Sequence, residues 1–328
     1  MSTLVQVSIH PSQFPDAVHA ELRASLAGRR MNHKFHYDTP GRARRWLAVH
    51  EAHSPARTDP DCLATYDRAF SGAAAALSGT EVQVIGLGCG GGQKDARLLR
   101  ELVARRRRCS YVPLDVSPTL VLVAREAARQ VISEDSIHPC VADLAAADDL
   151  GGILEKLGCT DRPRLFSFFG MIPNFEPALI LPRLAALLRA DDWLLFSANL
   201  APGADYAAGV RQMLPQYDNA ETRRWLWTVM EDHGAGSEER KLHFAVEPDP
   251  VDADLLRLAA HWEVTRDATL VLEQERFPIE AGERFRLFFS YRHTPMTVVR
   301  LLGRHGLEVV DAWPTASGEE GVFLCRRQ

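Results

Sequence analysis

Between residues 81 and 200 the chain alternates short apolar runs with longer stretches in which apolar residues recur every three or four positions. The runs at 82–86, 110–114, 138–142, 164–169 and 193–199 predict buried strands. The stretches at 94–107, 118–130, 150–157 and 177–189 predict helices. Strands separated in this way by helices form a parallel sheet with right-handed crossovers. Residues 1–30 give weak signals, and 31–76 read as helical in part, interrupted by Pro40, Pro55 and Pro60. After residue 200 the alternation stops. Residues 203–234 read as helical, with Asp218 or Asn219 as a cap and Gly234 as a stop. "LHFAVEPDP" and "ATLVLEQERFPIEAGERFRLFFSYRH" predict longer antiparallel strands, and the C-terminal stretch from Thr294 returns to helix, strand, turn, strand. The pattern predicts an α/β domain over 77–200, completed by 286–328. The insertion 201–285 and the N-terminal segment 1–76 would form a second, smaller α+β lobe.

The chain has 328 residues, enough for one large domain or two ordinary ones. A net charge of −5 gives no bias toward nucleic acid. The four arginines at 105–108 fall at the end of a predicted helix, where cations suit the dipole, so no nucleic-acid partner is expected. The six cysteines (Cys62, Cys89, Cys109, Cys140, Cys159, Cys325) contain no Cys-x-x-Cys pair, so no metal site is expected. There is no charged segment leading into an apolar run at the N-terminus, and no apolar stretch near the ~18 residues of a membrane span. The expected setting is the cytoplasm, without membrane partners.

Chemistry enters at "QVIGLGCGGGQKDARLL", residues 83–99. Gly86-x-Gly88-x-x-Gly91, after a strand and before a helix, matches the dinucleotide fingerprint, and Asp115 follows the next strand, where an acid binds ribose hydroxyls. The same geometry serves S-adenosylmethionine. A triphosphate loop is excluded, because no Gly-Lys-Ser/Thr ends the segment. Three features favour S-adenosylmethionine. Asp143 in "CVADLA" lies past the third strand, where a carboxylate can accept from the adenine amine, with Leu144 as apolar neighbour. The final helix, strand, turn and strand resemble the antiparallel hairpin that closes the sheet of class I methyltransferases. No second nicotinamide half follows the fifth strand. The alternatives are a dinucleotide-dependent oxidoreductase, and glycines that serve only a tight turn.

The stretches "KFHYD", "SPART", "GLGCGGGQKDARLL", "YVPLDVS", "VADL", "GMIPNFEP", "QYDNA" and "FFSYRHT" occur in this order from about residue 31 to the end. Together they resemble the histidine-specific S-adenosylmethionine-dependent methyltransferase family, that of the histidine N-α-methyltransferase of ergothioneine biosynthesis. The resemblance implies a class I (Rossmann-like) sheet with a C-terminal antiparallel hairpin. It implies that Tyr37, Gly86, Gly88, Gly90, Lys94, Asp115, Val116, Asp143 and Leu144 meet the cofactor, and that Asn174, Tyr217 and Ser290 meet the amino-acid end of a substrate. Tyr37 and Asn174 are the candidate catalytic residues; His36, His53 and His293 are weaker candidates. Bland readings stand beside these: Asn174 as a helix cap, Tyr217 as a packing tyrosine, Lys94 as a solvated helix residue.

The departures from the family pattern bear on the substrate. "GMIPNF" stands where the family reads Gly-Ser-Thr-Ile-Gly-Asn-Phe, and His53 and Ser54 replace the paired tyrosines before the proline of "SPART". Phe288 in "FFSYR" replaces the glutamate that grips the imidazole of histidine. Phenylalanine cannot accept the imidazole N–H, and an unpaired buried donor costs ~1–3 kcal/mol, about 10- to 100-fold in discrimination. The expected function is an N-methyltransferase of small-molecule, secondary metabolism, acting on an amino acid or small amine other than histidine. Phe288 and Phe289 would line a more apolar side-chain pocket. Two alternatives follow. One is cyclisation of S-adenosylmethionine itself to azetidine-2-carboxylate and methylthioadenosine. The other is a non-catalytic cofactor-binding partner. A monomer or small homo-oligomer is expected.

Overall fold

The computed structural model describes residues 4–158, 162–236 and 241–328; Cys159 lies outside them. The chain divides into two compact units. The first holds residues up to Phe14, Pro55–Leu200 and Thr294–Gln328; the second holds Pro15–Ser54 and Ala201–His293.

The first unit is built on one sheet. Its strands are β1 (Ser8–Ile9), β2 (Glu81–Leu87), β3 (Arg108–Asp115), β4 (Cys140–Val141), β5 (Arg164–Phe168) and β6 (Trp193–Asn199), and, after the five strands of the second unit, β12 (Leu307–Pro314) and β13 (Glu320–Arg327). The order is β1-β4-β3-β2-β5-β6-β13-β12. β1 to β6 pair in parallel, and β13 and β12 add antiparallel at the edge of β6, as the closing hairpin predicts. Side chains alternate between two apolar layers. Ile85, Leu87, Val112, Leu114, Phe166 and Phe196 enter one; Val82, Val84, Tyr111, Leu165 and Leu195 enter the other. Both faces are covered, which is why these strands read as unbroken apolar runs.

The prolines read as interruptions turn out to start helices. Pro40, Pro55 and Pro60 each occupy the first position of a helix: Pro40–His53, Pro55–Thr58 and Pro60–Ala76. There the missing N–H has no intrahelical partner to lose. Thr39 caps the first by accepting from the Arg42 N–H, and Asp59 caps the third by accepting from the Asp61 and Cys62 N–H groups. Read from sequence, residues 1–76 belong to the second lobe. In the structure residues 4–14 and 55–76 lie in the first unit: β1 pairs with β4, and Tyr66, Ala69, Phe70 and Ala73 pack in the same apolar layer as β2 and β13. A two-residue edge strand leaves no period to detect. Three of the four arginines at 105–108 are used internally. Arg107 donates to the carbonyls of Ala74 (3.0 Å) and Leu77 (2.7 Å), and Arg105 and Arg108 pair with Glu101 and Glu81.

The second unit contains β7 (Leu242–Pro248), β8 (Leu256–Glu263), β9 (Ala268–Leu272), β10 (Glu275–Ile279) and β11 (Arg284–Arg292). β11, β8 and β7 form an antiparallel sheet, and β9 and β10 form a hairpin. β8, the central strand, was not legible: "LLRLAAHW" carries two alanines in an apolar run that fits helix or strand equally. The unit extends to His293 rather than 285, because the earlier boundary falls inside the nine-residue β11. Trp227 and Trp262 meet edge to face at 5.2 Å in its core. Asn219 caps the helix Ala220–Glu231 by accepting from the Thr222 N–H. β11 carries a bulge between Arg286 and Phe288. Phe288 and Ser290, opposite Ala260 and Leu258, share one sheet face; Arg286, Phe289 and Tyr291 share the other, so Phe289 does not line a pocket with Phe288 as expected, because neighbouring strand residues point to opposite faces.

Arg164 on β5 tests how the first unit is held. Its guanidinium is buried, donates from Nε to both carboxylate oxygens of Asp192 (3.0 and 2.9 Å), and reaches the Leu187 carbonyl at 2.9 Å. Asp192→Ala leaves a buried cation uncompensated and is expected to cost about 3–5 kcal/mol in urea unfolding. A loss under about 1 kcal/mol would show that water or another group replaces the carboxylate.

Candidate active site

At the carboxyl edge of the first unit's sheet, a glycine loop joins β2 to the helix Gln93–Ala104. Gly88, Gly90 and Gly92 take φ of 68°, 52° and 72°, a left-handed conformation that side chains disfavour. The loop folds onto the end of β3. The N–H groups of Gly88 and Cys89 donate to the Leu114 carbonyl (2.8 and 3.0 Å), and the Gly90 N–H donates to Asp115 Oδ2 at 3.0 Å. Asp115 Oδ1 accepts from the Ser117 N–H at 3.0 Å, with Val116 between them. Burial pushes the Asp115 carboxyl up to about 6. Two backbone donors leave a carboxylate with further lone pairs to offer.

Gly86 has a structural duty that the fingerprint reading did not anticipate. A Cβ there would lie 2.4 Å from Asp95 Oδ2 and 2.9 Å from the Tyr111 hydroxyl. Asp95 enters from the first turn of the helix and accepts from Tyr111 on β3 and Ser167 on β5, both at 2.6 Å. Gly86 therefore makes room for a buried acid beneath the loop. Asp143 follows β4; its Oδ1 accepts from the Ala145 N–H at 2.8 Å, while Leu144 packs into an apolar layer with Ala142 and Leu150. Lys94 is no solvated residue. Its ammonium donates to the Tyr66 hydroxyl at 2.6 Å and lies 3.5 Å from Glu320, and Tyr66 also bonds Ser197 and Glu320. Asn174 ends the short turn Ile172–Asn174 after β5, and it is not a helix cap: Glu176 holds that place for the helix Pro177–Leu187.

In the second unit Tyr37, Tyr217, Phe288 and Ser290 gather into one cluster. The Tyr217 and Ser290 hydroxyls are 2.9 Å apart, and buried Arg292 donates to the Tyr217 hydroxyl at 3.1 Å. Tyr217 is thus more than a packing ring. Phe288 lies 5.8 Å from the ring of Tyr217, 6.1 Å from Trp225 and 5.1 Å from His33; Tyr37 lies 5.8 Å from Trp225 and 5.7 Å from Trp46. Trp225 and Arg292 carried no signal in the sequence, since nothing in their spacing marks which face they take. His36 donates from Nε2 to the Leu287 carbonyl at 2.8 Å, and burial pushes its pKa down to about 4, so it is a neutral core histidine. His53 is exposed, 4.0 Å from Glu221, and His293 is buried. Among the described residues no group of three or more His, Cys, Asp or Glu could hold a metal, and no helix is long and apolar enough to cross a membrane.

A parallel sheet closed by an antiparallel hairpin, with a glycine cradle and acids at the ends of β3 and β4, defines a class I S-adenosylmethionine-dependent methyltransferase. The model of the family described as "histidine-specific methyltransferase, SAM-dependent" matches residues 14–327, and the chain belongs to that family. It is similar to the N-methyltransferase imqF of Aspergillus flavus, 25% identical over 274 residues, covering 81% of this chain and 72% of that protein. Solved structures with a similar fold include the CcbJ methyltransferase of Streptomyces caelestis (TM-score 0.42, 15% identity, 80% of this chain and 88% of that one). Another is the Burkholderia thailandensis 1,6-didemethyltoxoflavin-N1-methyltransferase with S-adenosylhomocysteine bound (TM-score 0.44, 14% identity, 88% of each chain).

The family resemblance gives Asp115 the ribose hydroxyls of S-adenosylmethionine, a role in which the ionised carboxylate, with lone pairs beyond those taken by Gly90 and Ser117, accepts better than the protonated acid. Affinity for S-adenosylmethionine is therefore expected to fall as pH drops through about 6, where Asp115 takes up its proton. Asp115→Asn should weaken binding about tenfold or more at pH 7.5 and flatten that pH dependence, read by calorimetry.

Proposed function

We propose that this methyltransferase acts on the nitrogen of an amino acid or small amine other than histidine. The observation that carries the reading is Phe288. It stands where the family's imidazole-gripping glutamate is expected, 6% exposed, among the rings of Tyr217, Trp225 and His33. Those rings offer contact area and no carboxylate in place of the lost one, so they suit an apolar or aromatic side chain better than imidazole. The name of the Aspergillus flavus relative supports transfer to nitrogen.

S-adenosylmethionine, when bound, supplies an electrophilic methyl group on a good leaving group. What this chain must add is position, since in-line displacement needs the amine held ~3 Å from the methyl carbon. We assign Gly86, Gly88, Gly90, Lys94, Asp115, Val116, Asp143, Leu144 and Tyr37 to the cofactor. Asn174, Tyr217 and Ser290 we assign to the substrate's amino-acid end. Arg292 donates to the Tyr217 oxygen, and the Tyr217 and Ser290 hydroxyls lie 2.9 Å apart with either able to donate; in the complex the phenol proton would go to a substrate carboxylate. Asn174 offers both a donor and an acceptor, as a carboxylate and an amine require.

Mass spectrometry after incubation with S-adenosylmethionine, with and without pooled amino acids, tests the reading. S-adenosylhomocysteine is expected only with an acceptor, and histidine is expected to be turned over at least about tenfold less efficiently than the preferred one. Methylthioadenosine formed without an acceptor would instead support cyclisation. With an identified acceptor, Tyr217→Phe is expected to raise KM about tenfold through loss of the phenol donor, with the fold retained.

A further inference from the structure

We propose that the second unit carries a second ligand site, for a small molecule bearing a multiply charged oxyanion. A shallow recess of about 380 Å³, open to solvent, is lined by Gly28, Arg29, Arg30, Glu247, Arg257, His261, Arg284 and Arg286. That volume falls within the roughly 300–1,000 Å³ of small-molecule pockets. The register explains how so many cations converge. Arg257 pairs with Glu247 and Tyr291, His261 with His243 and Arg286, and Glu263 with Arg284, so one face of the β7-β8-β11 sheet carries all of them. The bulge after Arg286 keeps Arg286 and Phe289 on that face, opposite the one that bears Phe288 and Ser290. The cavity is therefore a different surface of the sheet from the one assigned to substrate.

The charges do not balance within the cavity. Five guanidinium groups face one carboxylate, that of Glu247. Glu247 is engaged by Arg257 (2.9 and 2.7 Å) and by His261 (3.2 Å). Arg29 is held by Glu283 and by the Leu26 and Pro278 carbonyls, so it contributes field rather than donors. Arg284 lies 3.9 Å from Glu263, and the Arg30 side chain makes no hydrogen bond or ion pair among the described residues. Two of the lining arginines are braced from behind by an aromatic ring: the guanidinium carbons of Arg286 and Arg257 lie 4.9 and 5.1 Å from the Phe289 ring centroid. Planar guanidinium forks match the oxygens of phosphate and carboxylate groups, and contact with the Phe289 ring helps hold two of the forks in place.

The test is isothermal titration calorimetry of the full chain with inorganic pyrophosphate and, separately, citrate. One equivalent of at least one of the two is expected to bind, with affinity falling at higher salt. Arg30→Gln and Arg286→Gln should each weaken that binding tenfold or more, and Arg276→Gln, an exposed residue of β10 outside the cavity, should not change it. A preference for pyrophosphate identifies a phosphate-bearing ligand, and a preference for citrate a polycarboxylate. Absence of binding, or binding equal in wild type, Arg30→Gln and Arg286→Gln, overturns the proposal. Far-UV circular dichroism confirms folding. Arg30→Gln removes no intramolecular partner and keeps the test valid if Arg286→Gln does not fold.

Discussion

The carboxyl edge of the sheet depends on one buried acid. Asp95 reaches down from the first turn of its helix and accepts from Tyr111 on β3 and Ser167 on β5, under Gly86 on β2. One carboxylate thus ties β3 and β5, across Gly86 of the intervening β2, to the start of the helix that follows the glycine loop. Taking a carboxylate out of water is costly, and burial pushes Asp95 up to about 6, but two hydroxyl donors and the helix N-terminus offset part of that cost. The arrangement leaves no volume for a side chain at residue 86. With the strand ends locked, the loop glycines and Asp115 have a fixed base from which to present donors and acceptors.

A second constraint is local to β11. One extra residue at Leu287 lets Phe288 and Ser290 point to one side of the sheet and Arg286, Phe289 and Tyr291 to the other. The first side joins the aromatic core with Trp225 and Trp262; the second carries the arginines. Without the bulge the two sets would exchange faces over half the strand, because side chains alternate with a period of two. An aromatic surface and a cationic one are thus separated by the thickness of a single strand.

Much of the first unit was legible, since its strands are buried on both faces and announce themselves as apolar runs. β2, β3, β5 and β6 lie within one or two residues of their expected bounds. β8 and β1 were not, one because alanine-containing apolar runs are ambiguous, the other because two residues show no period. The candidate residues with a motif, Asp115 and Tyr217 among them, could be named from order and spacing. Asp95, Tyr66, Glu320, Trp225 and Arg292 could not. Each matters through a partner 16 to 254 positions away, as with Asp95 and Tyr111 or Tyr66 and Glu320, and no local pattern encodes such a pairing.

By itself the sequence determined the alternation that builds a parallel sheet, the glycines that admit left-handed turns, the acids that follow the second and third predicted strands, and a phenylalanine at residue 288, where the family resemblance implies an imidazole acceptor. These are properties of residue type and period, which survive in one dimension. The tertiary structure alone decided what lies beneath Gly86, which hydroxyl holds Lys94, that Arg292 donates to Tyr217, and that five arginines from three separate stretches of the chain share one recess. Those outcomes rest on register, and register is set by which faces pack together once the chain has folded.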